Sequence, residues 1–186
     1  MSELLLCTLK IPVLSPPRLS PRLDNQTQAT MALTVVYMPS NELTTTGYIY
    51  VNPSDARAAY VSMGDFVYRC APHPGVNPGD VALNAIQRRL AAVSAGDEIQ
   101  IADFLVPMRD FDIRVLTVQA EWVKLNAAPP PQDLTALTNA FRTHFTGQVL
   151  AKGQKVLMNY DGNAMLFTIK NDVKGLVTMS TEVHVE

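Results

Sequence analysis

The 186-residue chain is 47% hydrophobic and 17% charged, a balance that supports a sizeable core and argues against a disordered or fibrous protein. Its length fits one or two domains, and no run approaches the roughly 20 apolar residues of a membrane-spanning helix. With a formal net charge of -2 there is no overall attraction to nucleic acid, so electrostatic function must reside in a local patch.

Residues 1 to 30 differ from the rest. Leu4-Leu5-Leu6-Cys7 is a short apolar run, and Pro12, Pro16, Pro17 and Pro21 follow closely, which forbids a helix and favours extended chain. Glu3 ahead of the apolar run and Lys10 behind it deny a secretory signal. Arg18 and Arg22 among serines keep a transit peptide open, with Glu3 and Asp24 against it. The expectation preferred here is a disordered leader, or an extension ahead of a start at Met31.

From Ala32 the chain reads as strands. Leu33 to Tyr37, Tyr48 to Val51 and Phe66 to Tyr68 are β-branched and aromatic, with turns at Pro39 to Asn41, Asn52 to Asp55 and Met63 to Asp65. Spacings of about ten to fifteen residues between short strands predict an all-β barrel or sandwich, not βαβ units. The stretch from Val76 to Ile101 organises this unit. Gly79-Asp80 and Gly96-Asp97 are turns, each followed by an apolar-rich strand, and Ala85 to Val93 between them is a short helix centred on Gln87, Arg88 and Arg89.

Val106 to Asp110 reads as a linker because proline interrupts the strand pattern. Beyond it, Ile113 to Val123 alternates as a strand and carries the only tryptophan, Trp122. Ala127 to Pro131 is a stiff connector, and Asp133 caps a helix striped with Leu134, Leu137, Phe141 and Phe145 that ends at Gly147. Asp161-Gly162, between Lys155–Tyr160 and Ala164–Ile169, is the strongest hairpin signal in the chain. A strand from Gly175 to Thr178 then precedes a frayed end. The predicted organisation is an extension (1–31), a first β-rich unit (32–105), a linker (106–112) and a second unit (113–186), with a cleft where the units join.

Catalytic signatures are missing. There is no phosphate-cradling G-x-x-x-x-G-K-[ST] loop and no G-x-S-x-G elbow. His73, His144 and His184 are far apart, and each reads as structural or solvated, His184 within a disordered end. Cys7 and Cys70 show no metal or redox spacing. A disulfide between them and two free thiols both fit, and free thiols in a reducing compartment are favoured. Asp97 and Glu98 point to opposite sides of a strand, so they do not form an acid–base pair.

The basic residues are more informative. Arg88 and Arg89 are adjacent, Arg109 and Arg114 flank the linker, and Lys124 ends the Trp122 strand. If the units pack side by side, these groups line one groove and offer an acidic protein partner several charge-assisted bonds. The competing reading is ordinary solvated charge, since 15 Lys and Arg must be placed somewhere. Nucleic-acid binding is disfavoured, because no aromatics interleave with the basic residues.

The segments MPSNEL (38–43), YVNPSD (50–55), HPGVNPGDVALNAIQRR (73–89) and AAVSAGDEIQI (91–101) resemble the amino-terminal domain of the N-ethylmaleimide-sensitive factor (NSF) family of AAA ATPases. TVQAEWVK, FRTHFTGQ and MLFTIKNDV extend the likeness over roughly residues 33 to 176. The resemblance implies a double-psi β-barrel followed by a smaller α+β subdomain. It also implies a role in gripping the acidic face of a SNAP adaptor on SNARE complexes during membrane traffic, in the cytoplasm and peripheral to vesicle and Golgi membranes.

Arg88 matches a family arginine of that kind and Arg89 replaces an adjacent lysine. A family Lys-Lys pair falls near Lys124-Leu125-Asn126, where one lysine remains, and a family arginine falls at Tyr37. The resemblance places ATP and Mg in AAA modules of a hexameric parent and no cofactor or metal in this chain. Two alternatives stand beside it. One is the ubiquitin-adaptor-binding or peroxisomal-partner-binding module of another AAA ATPase. The other is an enzyme built on a double-psi barrel, which requires a titratable cluster in a pocket.

Overall fold

The computed structural model describes residues 29–123 and 133–186. Six strands form the first lobe: β1 (Thr30–Val36), β2 (Ile49–Val51), β3 (Tyr60–Met63), β4 (Phe66–Pro72), β5 (Asp80–Ala82) and β6 (Glu98–Asp103). They close into a barrel in the order β1-β5-β2-β4-β3-β6, with β6 returning antiparallel to β1. Two of the pairings, β1 with β5 and β2 with β4, are parallel, and the remainder are antiparallel. This is the closed mixed barrel expected of the double-psi class. Closure leaves no barrel edge unpaired.

Alternation along the strands fills the barrel. Leu33 and Val35 of β1, Val61 and Met63 of β3 and Ile101 of β6 are buried with Ile49, Val51, Tyr68, Val81 and Leu83 in one cluster. A short helix, α1 (Ala85–Ala91), spans the predicted site, two residues shorter than expected because Ala92 turns left-handed at φ 53°. Strands β3 and β4 join as a hairpin through Gly64-Asp65. The Tyr60–Met63 strand carried no sequence signal of its own, since it is short and follows a turn-rich stretch.

The second lobe holds β7 (Val115–Trp122), α2 (Leu134–Phe145), β8 (Val149–Ala151), β9 (Lys155–Tyr160), β10 (Asn163–Ile169), β11 (Lys174–Leu176) and β12 (Glu182–Val185). Its main sheet runs β12-β7-β10-β9, and β11 pairs with β8 beside it. Asp133 caps α2 by accepting from Ala136 N at 2.9 Å, as expected. Leu137, Phe141 and Phe145 bury their side chains against Leu116, Val118, Met165 and Phe167, while Leu134 stays half in water. The hairpin turns at Asp161-Gly162, where φ is +50° and +77°, the pair of positive angles that a two-residue primed turn demands.

Two expectations need correcting. The chain end is not frayed: β12 lies parallel to β7, with Val183 opposite Leu116 and Val185 opposite Val118. His184 is accordingly ordered in β12, with Nε2 3.2 Å from Glu182. The cause is non-local, a register with residues more than sixty positions earlier, which no local pattern announces. The linker is also pinned at its far end, since Leu176 N donates to Phe111 O and Ile113 N to Leu176 O.

Candidate functional site

The lobes meet at the 3-10 turn Glu42–Thr45, the loop that follows it and the start of β3. Gln148 Nε2 donates to Thr46 O at 2.9 Å, Tyr60 donates its hydroxyl to Gly147 O at 2.6 Å, and His144 Nε2 lies 2.7 Å from Thr45 O. A carbonyl only accepts, so that imidazole nitrogen carries the proton. Gly47 sits at the centre of this joint. Its φ of +78° suits glycine, and a Cβ there would stand 2.5 Å from Gln148 Oε1.

Helix α1 is tied to the same loop. Asn84 is 4% exposed; it accepts from Gln87 N at 2.8 Å, and Gln87 Oε1 accepts from Asn84 N at 2.8 Å, a complete capping box. The spare amide hydrogens reach outward, Asn84 Nδ2 to Thr44 O and Gln87 Nε2 to Gly47 O and Tyr48 O. A seven-residue helix is too short to hold itself, so these bonds set its direction. The Asn-x-x-Gln spacing was legible in the sequence as this cap and was missed.

Arg88 and Arg89 occupy the last turn of α1, where positive charge meets the negative end of the helix dipole. Arg88 Nη1 donates to Leu83 O at 2.6 Å, and its guanidinium carbon lies 4.6 Å from the centre of the Tyr37 ring. Arg89 is exposed. Among the described residues, no carboxylate lies within 4.0 Å of either arginine.

The predicted cleft exists, with a different lining. A cavity of about 700 Å³ opens between Asn41, Thr44 and Thr45 of the first lobe and Val123, Asn159 and Asn163 of the second. Its described lining is uncharged, and Arg88, Arg89, Arg109 and Arg114 are not part of it. Arg114 lines a separate depression of about 440 Å³ with Asp110, Asp112 and Ser180, and Arg109 is exposed in the linker. Lys124 lies outside the described residues. The structure therefore brings Arg88 and Tyr37 together, with Arg89 next to Arg88 along the helix, and sets Arg114 in one depression with two carboxylates.

The remaining candidates are structural. Burial raises the Cys70 thiol to about 11, helped by the negative charge of Asp103, so it is not a nucleophile poised for attack. His73 accepts from Gly75 N at 3.0 Å and packs edge-on against Tyr50. Among the described residues no helix is long and apolar enough to cross a membrane.

Over 155 residues the chain is 35% identical to a vesicle-fusing ATPase of Arabidopsis thaliana, a match covering 78% of this chain and 21% of that protein. The chain is homologous to the vesicle-fusing ATPases. A vesicle-fusing ATPase of Caenorhabditis elegans is 26% identical over 166 residues, covering 82% of this chain and 20% of its own length. The chain thus spans about a fifth of the length of the curated relatives it matches. No protein-family model matches it.

Proposed function

We propose that the chain is the adaptor-recognition domain of an NSF-like vesicle-fusing ATPase, binding a SNAP adaptor on SNARE complexes so that ATP-driven modules can disassemble them. The observation that carries this reading is the Arg88–Arg89 pair, set on a capped helix with no carboxylate partner among the described residues. Homology over about four-fifths of the chain supplies the context. A cation with no carboxylate partner among the described residues is available to an external one, and a guanidinium meets a carboxylate with two parallel hydrogen bonds. Arg109, Arg114 and Lys124 add longer-range attraction, Arg114 least because Asp110 and Asp112 share its depression. The proposal assigns ATP hydrolysis to AAA modules and membrane association to the partners.

Each exposed charge pair is worth about 0.2–1 kcal/mol, so one domain binds weakly and several copies in a hexamer bind well. Titrating the chain against SNAP-coated SNARE complex at rising salt tests this. Affinity is expected to fall steadily with salt, and Arg88→Ala with Arg89→Ala to weaken binding about tenfold. Salt-insensitive binding, or an unchanged double variant, would overturn it.

A further inference from the structure

Tyr37 follows β1 and is 69% exposed. Its face is taken by Arg88 at 4.6 Å, while Arg88 Nη1 is held by Leu83 O at 2.6 Å. Both holds come from one source. β1 and β5 run parallel with Val36 opposite Ala82, and Leu83 N donates to Val36 O, so the barrel fixes the carbonyl and the ring relative to each other. A guanidinium has five N–H donors, and among the described residues Arg88 spends one. The rest of the fork is aimed by the barrel, not by a free side chain. Arg89, one residue on and exposed, has no such support among the described residues.

We propose that Tyr37 is a positioning residue for partner binding, stacking Arg88 so that it meets a carboxylate in a preset orientation. The partner it fits is an acidic protein surface with an aliphatic or aromatic side chain beside the carboxylate, because the open part of the ring adjoins the charge. This rests on the function proposed above, and it divides labour within the pair: Arg88 is prepositioned, and Arg89 supplies unanchored charge. Pre-ordering reduces the rotamer freedom lost on binding, so its effect lies in the lifetime of the complex.

The test uses the full chain with the same adaptor-coated complex, comparing Tyr37→Ala, Tyr37→Phe and Arg88→Ala. Tyr37→Ala is expected to bind about fivefold more weakly through faster dissociation, with the salt slope unchanged because no charge is removed. Tyr37→Phe keeps the ring and stays within about twofold of the unaltered chain. Tyr37→Ala added to Arg88→Ala causes no further loss. Arg88→Ala weakening binding while Tyr37→Ala does not would overturn this inference alone. A full extra loss in the Arg88→Ala background would overturn positioning in favour of an independent contact. An Arg88→Ala variant without effect would also overturn this inference, and the proposed function itself falls only if the Arg88→Ala, Arg89→Ala double variant is unchanged as well.

Discussion

Cys70 lies half-buried on β4, and desolvation, with Asp103 nearby, raises its thiol from an ordinary 9.0 to about 11. The folded state therefore prefers the neutral thiol. That preference contributes stability in full below pH 9 and is lost as pH climbs from 9 towards 11, because the unfolded thiol ionises first. In a Cys7→Ser background at pH 8, alkylation of Cys70 by iodoacetamide should run on the order of a hundredfold slower than that of an unstructured peptide thiol. Mass spectrometry of timed samples reads the rate. A rate equal to the peptide's would show that the thiol is not shielded. Arg88 illustrates the same scale from the other side. Its residue type was readable in the sequence, but its stacking on Tyr37 depends on a ring fifty-one positions away.

Among the elements, α1 carries the most consequence for its size. Asn84 satisfies Gln87 N and bonds Thr44 O, so one side chain both starts the helix and ties it to the joint loop. Asn84→Ala is expected to lower stability by about 2 kcal/mol, at the upper end for a helix cap, because a buried amide and a carbonyl both lose partners. Urea denaturation followed by circular dichroism measures this. A loss under about 0.5 kcal/mol would mean that the cap is replaceable. The α2 stripe and the Asp161-Gly162 hairpin were legible because their signals are local, a 3.6-residue period and a turn that needs two positive φ angles. β8 and β3, of three and four residues, were not.

At the scale of the molecule, the joint between lobes decides whether they respond as one body. Gly47→Ala introduces a methyl 2.5 Å from Gln148 Oε1 at a backbone angle that disfavours side chains, so the Gln148–Thr46 bond must give way. The single tryptophan, Trp122, reports on the second lobe alone, whereas far-ultraviolet circular dichroism reports on both. For the unaltered chain the two probes should trace one urea transition. For Gly47→Ala they should separate, with the overall midpoint lowered. Coincident curves for the variant would show that the lobes do not depend on this joint.

Strand periodicity, glycine-aspartate turns, helix stripes and the order of characteristic segments determined the two-lobed β-rich architecture, because each is written in neighbouring residues. Only the tertiary structure decided the closure of β6 on β1, the parallel docking of β12 on β7, the uncharged character of the cleft's described lining and the pairing of Arg88 with Tyr37. Those features depend on chain segments that are distant in sequence reaching the same place. Local propensity does not encode such contacts; packing, register and hydrogen-bond satisfaction across the whole chain select them.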